Sequence, residues 1–170
     1  MKQTGVTRKI DELGRIVIPK EIRKNLGIRD GETLEIFTGE DSVILKKYFE
    51  VRKYEDLSSK LCKLIKNIYN VDLVITDREK VITSSNKDIL ENTKLNNSLI
   101  NLIDNREMFI SHELSTMNLG VEVSSYYTIV PIIASSDSLG LVIILSDNNL
   151  ELCSLGKLIA KIIADKIDIF

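Results

Sequence analysis

The sequence predicts an α+β protein built in two parts, and three observations carry that reading. Residues 1 to about 50 alternate β-branched runs with Gly and Pro punctuation and leave room for one short helix. The remainder interleaves amphipathic stretches with strongly apolar, strand-like runs. Charge divides at the same place: residues 1–52 carry 11 Lys and Arg against 9 Asp and Glu, and residues 53–170 carry 12 against 16.

The bulk composition excludes several classes. With 44% hydrophobic and 28% charged residues the chain is that of a globular protein, not a disordered one. The absence of Trp makes its cores aliphatic. No apolar run approaches the roughly 20 residues a membrane span needs, and the polar amino-terminus is no signal peptide; a cytoplasmic location follows as the expectation. Cys62 and Cys153 lie far apart in amphipathic segments with no metal-ligand spacing, which predicts buried, reduced thiols. The net charge of −2 conceals a cationic patch: residues 1–24 hold seven Lys and Arg against three acids.

In order, Gly5 to Glu12 alternates as a half-buried strand, and Glu12-Leu13-Gly14 supplies a turn. Arg15 to Ile18 is a second, β-branched strand. Pro19 opens a helix over Lys20 to Leu26, with Ile22 and Leu26 inward, Arg23 and Lys24 outward, and Gly27 closing it. After a turn at Arg29-Asp30-Gly31, Thr33 to Phe37 and Val43 to Lys47 form a hairpin. The strands at Ile16, Val17 and Ile18, at Leu34 and Ile36, and at Val43, Ile44 and Leu45 are more apolar than one small sheet can cover, so an obligate dimer is expected.

Apolar residues from Val51 to Ile68 recur at helical steps, giving an amphipathic helix to Tyr69 with no flexible linker before it. Val71 to Thr76 and Lys80 to Thr83 read as a strand pair. Asn86 to Asn105 reads as a polar helix with Leu90, Leu95, Leu99, Ile100 and Ile103 inward, and Met108 to Ile110 as a short strand. Ser111 to Ser124 carries no clear signal. Tyr126 to Ala134 and Leu139 to Leu145 are strands flanking a Ser135-to-Ser138 loop, and Leu150 to Phe170 is a long helix.

The stretch from Met1 to Tyr48, with LGRIVIPKEIR and ILKKY both at family spacing, resembles the AbrB-type swapped-hairpin DNA-binding domain. That resemblance implies two protomers exchanging hairpins to make one intertwined β-barrel. It also implies that arginines on the first strand, the turn and the helix grip DNA, and these fall on Arg8, Arg15 and Arg23. Lys24 stands where close relatives often have Arg, and an ammonium cannot fork as a guanidinium does. Residues 52–170 resemble a GAF domain, best in YYTIVPIIASSDSLGLVIILS, a GAF-like α/β sandwich. The two in tandem match the layout of sporulation regulators, which implies a homotetramer controlling genes of spore formation in a Gram-positive bacterium. The expected boundaries are 1–51 for the DNA-binding domain and 52–170 for a regulatory and oligomerisation domain.

Double-stranded DNA is therefore the expected partner. The expected interface is Arg8, Lys9, Arg15, Lys20, Arg23 and Lys24: cations that neutralise phosphate, with the arginines also able to fork onto guanine edges. A first-turn Lys such as Lys20 is disfavoured by the helix dipole, which itself points to an outside anion. Most Lys/Arg clusters are only solvated faces; here the turn chemistry, the local charge and the motif outweigh that reading. An enzyme is not expected, since the single histidine, His112, has no Cys or Ser–acid constellation and no phosphate loop is present. Asn86-Lys87 and Phe109 with Glu113 echo a cyclic-nucleotide signature, but Leu114 replaces its last acid, so the match reads as chance. No cofactor or metal is expected, and the lining of any effector pocket is unknown beyond the 86–127 region and the central strands. The apolar faces of the two long helices are wide enough for assembly between copies. Two alternatives stand beside the regulator: a swapped-hairpin antitoxin that neutralises a toxin, and a small-molecule sensor with no direct role on DNA.

Overall fold

The computed structural model describes residues 5–168. Lys2 of the basic stretch and residues 169–170, which the sequence pattern puts in the terminal helix, lie outside them. The chain is α+β and divides into two compact units, Met1–Tyr48 and Phe49–Phe170.

Unit 1 contains one helix and one hairpin. Helix α1 (Lys20–Leu26) starts after Pro19, which takes the cap position with φ −58° and ψ 146°. It stops at Gly27, whose φ of 64° is left-handed. The Gly27 N–H bonds the Lys24 carbonyl at 3.2 Å and the Ile28 N–H bonds the Arg23 carbonyl at 2.8 Å, a Schellman closure. Strands β1 (Leu34–Gly39) and β2 (Ser42–Lys47) pair antiparallel across the two-residue turn Glu40-Asp41, with Ile36 opposite Leu45 and Phe37 opposite Ile44.

Here the sequence expectation needs correction. Residues 5–11 and 15–18 form no strand: β1 and β2 pair only with each other, so their own chain offers these residues no ladder partner. Nor are Ile22 and Leu26 inside, for α1 has no buried residue. None of the described residues of unit 1 is buried, and Val17 at 71%, Ile36 at 67% and Leu26 at 60% are largely open.

Unit 2 is a three-layer arrangement. A 3₁₀ turn (Glu50–Tyr54) leads into α2 (Glu55–Tyr69), so the single helix expected from Val51 to Tyr69 begins as a 3₁₀ segment. The sheet then takes β3 (Asp72–Thr76), β4 (Val81–Ser84), β5 (Phe109–Ile110), β6 (Ser115–Asn118), β7 (Glu122–Ala134) and β8 (Asp137–Ser146). Its order is β4-β3-β8-β7-β5, with β6 also on β7, and every pairing is antiparallel. Helix α3 (Asn97–Asn105) lies between β4 and β5 in sequence, and α4 (Cys153–Ile167) ends the unit.

Both faces of this sheet are covered, which is why β3 and β8 read as continuous apolar runs. Leu73, Ile75, Val142 and Ile144 join Cys62 and Ile65 of α2 and Ile159 and Ile163 of α4 in one core. Val74, Leu141, Ile143 and Leu145 join Leu99 and Ile103 of α3 in the other. The second face holds Leu99, Ile103, Leu119 and Tyr127, none more than 1% exposed. Gly156 lets α4 approach the sheet, since a β-carbon there would stand 2.8 Å from Val130 Cγ2.

Other differences have local causes. The helix expected from Asn86 starts only at Asn97, because residues 92–95 spend their backbone bonds on β4: Asn92 N–H to Val81 O at 2.8 Å, Val81 N–H to Thr93 O at 2.9 Å. Asn96 then caps α3 by accepting from the Leu99 N–H. Ile89, not Leu90, turns inward. The β7–β8 loop is only Ser135-Ser136, both at positive φ as a type I′ turn requires. Ser111–Ser124, unreadable in sequence, supplies β6.

One buried carboxylate organises the start of unit 2. Asp77, fully excluded from solvent, accepts the Glu79 and Lys80 N–H groups at 2.6 Å each and binds Arg52 Nε at 2.5 Å. The next residue, Arg78, donates to the Ser138 carbonyl and to Asp104 at 2.7 Å, so this turn ties together the 3₁₀ segment, β8 and α3. Cys62 is buried and Cys153 half-buried, both free thiols; burial pushes the Cys62 thiol up to about 12. Among the described residues no helix is long and apolar enough to cross a membrane.

Two apolar stripes are only partly covered by the sheet, Leu61 and Leu155 still touching its core. On α2, Leu57, Leu61, Leu64 and Ile68 follow steps of four, three and four, beside the inward row of Ser58, Cys62 and Ile65. Leu64 is 53% and Ile68 69% exposed. On α4, Leu155, Leu158 and Ile162 follow steps of three and four, and Leu158 is 58% exposed.

Candidate nucleic-acid interface

The six cations singled out in the sequence all lie in unit 1, and none is buried. Their backbone positions are set by two local devices, a three-residue loop and a short helix.

The loop spans Asp11 to Arg15. Gly14 N–H bonds the Asp11 carbonyl at 2.9 Å and Asp11 N–H bonds the Arg15 carbonyl at 3.0 Å, with Gly14 at φ +75°. This is a turn followed by a left-handed glycine, the usual form of a three-residue hairpin loop. The Asp11 side chain stitches it: Oδ1 accepts the Leu13 N–H at 3.0 Å and the Arg15 N–H at 2.8 Å, and Oδ2 accepts Arg15 Nε at 2.7 Å. The backbone and side-chain bonds from Arg15 hold the Asp11 carboxyl below the usual carboxylate range. A lowered value means the contribution is fully present at neutral pH and is lost only as pH falls through that value.

Arg8 stands on the arm leading into the loop and donates Nη1 to the Thr7 carbonyl at 2.8 Å. Lys9 beside it has no side-chain partner among the described residues. The helix places the rest. Lys20 and Lys24 are exposed and unpartnered among the described residues, while Arg23 donates Nη1 to Asp30 and leaves its buried Nε without a partner. Arg15 and Arg23 are thus each held by a carboxylate, whereas the three lysines have no side-chain partner among the described residues.

Two further groups matter that the sequence reading passed over. Lys47 donates to the Gly27 carbonyl at 2.9 Å and lies 3.7 Å from Glu32, so it closes the C-terminus of α1. Asp11 was legible in part: an Asp opening a turn whose fourth residue is Gly is a common type I signature. Its grip on Arg15 Nε was not. Among the described residues no group of three His, Cys, Asp or Glu could hold a metal ion, and His112 is exposed.

Comparison with known proteins places these units. The family model described as antidote-toxin recognition MazE, bacterial antitoxin, matches residues 7–52. The one described as stage V sporulation protein T C-terminal, transcription factor, matches residues 53–167. Stage V sporulation protein T of Bacillus subtilis (strain 168) is 39% identical over 153 residues, covering 86% of this chain and 85% of that protein. Transition state regulatory protein AbrB of the same organism is 56% identical over 48 residues, 28% of this chain and 50% of its own length. A solution structure of the N-terminal DNA recognition domain of AbrB shares 56% identity, covering 28% of this chain and 91% of that one, with a TM-score of 0.25, so that likeness is one of sequence. Since the C-terminal match takes in more than half of the chain and the full-length identity runs across both units, the chain belongs to the stage V sporulation protein T family.

Proposed function

We infer that this protein is a DNA-binding transcriptional regulator of sporulation genes that grips duplex DNA through unit 1. The observation that carries the reading is the set Arg8, Lys9, Arg15, Lys20, Arg23 and Lys24, solvent-reaching cations gathered between residues 8 and 24 of a chain whose net charge is −2. Such a cluster binds phosphate by releasing counterions, and its arginines can also fork onto base edges. Family membership supports the same reading, the C-terminal model being described as a transcription factor.

The finer architecture is part of this proposal. Residues 1–51 act as the DNA-binding domain and residues 52–170 as a GAF-like regulatory and oligomerisation domain. Two copies exchange hairpins, and the partner supplies the ladder and cover that Val17, Ile36 and Leu26 lack in one chain; the open apolar surface of unit 1 supports this. Pairs of dimers then join through the stripes on α2 and α4, whose heptad-like spacing suits a helix bundle between copies. The antiparallel sheet with helices on both faces supports the GAF-like reading.

Charge reversal at Arg15 tests the interface. Each neutralised phosphate contributes a slope of about 0.9 in log affinity against log salt. Arg15→Glu is therefore expected to lower affinity at least tenfold at moderate salt, to flatten that slope by about one per copy, and to empty the sites found by genome-wide mapping of wild-type protein. Undiminished retention on DNA would remove this surface from the function. The antitoxin reading is favoured by one observation, the description of the family model over residues 7–52. A small toxic protein co-purifying with the chain would support it; the large folded unit 2 weighs against it.

A further inference from the structure

We propose that Asp11 is a positioning residue of the DNA interface: it holds Arg15 by Nε and so presents the guanidinium's two terminal nitrogens as a preset fork. This rests on the reading of unit 1 as the DNA-binding surface and deepens it.

A guanidinium has five N–H donors, one on Nε and two on each terminal nitrogen. Asp11 Oδ2 takes the Nε donor at 2.7 Å. Nη1 and Nη2 have no partner among the described residues, and the Arg15 side chain is 71% exposed. The edge left open, with both terminal nitrogens, is one that can meet phosphate or guanine bidentately. The same carboxylate also fixes the backbone beneath it, Oδ1 accepting both the Leu13 and Arg15 N–H groups. One side chain therefore sets the loop, the Cα position of Arg15 and the direction of its head group.

Arg23 shows the contrast. Its carboxylate, Asp30, takes a terminal nitrogen, Nη1, so part of the fork itself is already engaged. Of the two held arginines, only Arg15 is held by Nε, with both terminal nitrogens left open.

Simple electrostatics predicts the opposite sign for Asp11. A carboxylate beside a phosphate-binding cation repels DNA, so removing its charge should tighten binding to any duplex. Positioning predicts weaker binding to the sites the protein selects, because an arginine free to rotate must be ordered on binding. Ordering one such side chain corresponds to a factor of roughly two to ten.

Asp11→Asn separates the two effects. The amide oxygen still accepts the Leu13 and Arg15 N–H groups, so the loop is retained, while the amide nitrogen cannot accept from Nε. Full-length wild type, Asp11→Asn, Arg15→Ala and the double variant would be titrated with duplexes recovered by genome-wide mapping of wild-type protein, and with random-sequence duplexes of equal length. The expected result is a roughly fivefold loss on the recovered duplexes, no loss on random ones, and no further loss when Asp11→Asn is added to Arg15→Ala. Equal or tighter binding of Asp11→Asn to both duplexes, or losses that simply add, would overturn the positioning role while leaving the DNA interface standing. Arg15→Ala with unchanged affinity would instead remove the interface. Matching melting curves for wild type and Asp11→Asn confirm that the loop is intact; should Asp11→Asn melt lower, Arg15→Lys decides, since positioning requires it to cost several-fold in wild type and nothing beside Asp11→Asn.

Discussion

Two units of one chain differ in how completely they bury their apolar residues. Unit 2 closes two cores, one on each face of its sheet, with residues such as Leu73, Ile144 and Ile163 fully excluded from solvent. Unit 1 has as strong a β-branched pattern, yet none of its described residues is buried and the residues around its loop find no ladder. The difference teaches that pattern alone does not make a core. A short segment displays a hydrophobic face without the chain length to cover it, and only a second surface can do so.

The largest expected effect breaks or confirms that contrast directly. Replacing Val17, 71% exposed in the single chain, with Asp would change stability by less than about 0.5 kcal/mol if unit 1 stood alone. Covered by a partner's hairpin, the same carboxylate costs about 3 kcal/mol or more, through burial of an unpaired charge. The expected outcome is loss of the unit 1 transition in urea together with loss of DNA retention, while the unit 2 transition stays in place. A silent Val17→Asp would show that unit 1 needs no cover.

A smaller effect sharpens the other side. Asp77→Ala removes the acceptor for two backbone N–H groups and for Arg52 inside unit 2. The expected loss is about 2–3 kcal/mol of unit 2 stability, since buried donors are left without partners. Urea unfolding followed by a probe in unit 2 measures it, and a loss under 1 kcal/mol would show that solvent replaces the carboxylate easily.

The smallest effect on stability concerns the stripes on the long helices. Leu64→Lys combined with Leu158→Lys is expected to shift unit 2 stability by no more than about 0.5 kcal/mol per site, both being largely exposed. The mass by light scattering should nevertheless fall by half. An unchanged mass would place the contact between copies elsewhere.

Much of the candidate site was legible in the sequence because it is local. The Gly14 turn, the Gly27 helix closure and the outward Lys24 depend on residues only a few positions apart and occur where the pattern puts them, whereas Arg23 is half-buried with its Nε inside. What the pattern hid was the division of labour among carboxylates. Asp11 reads as the end of a strand and Asp30 as a turn residue, and nothing in their spacing tells that one takes an arginine's Nε and the other a terminal nitrogen. In unit 2 the misreadings came from competition for backbone bonds: residues 92–95 are polar enough for a helix but are recruited to the edge of β4.

By itself, then, the sequence determined the α+β class, the Gly14 turn, the ends of α1 at Pro19 and Gly27, the apolar runs of β3, β7 and β8, and the concentration of positive charge in residues 1–24. Each rests on propensity, periodicity or composition, which short stretches of chain carry alone. Only the tertiary structure decided which stripe of α2 faces the sheet, where α3 begins, that Asp77 is buried against Arg52, and that residues 5–18 have no ladder within the chain. Those outcomes depend on partners distant in sequence, because a hydrogen bond or a buried face is completed by whatever the fold brings against it.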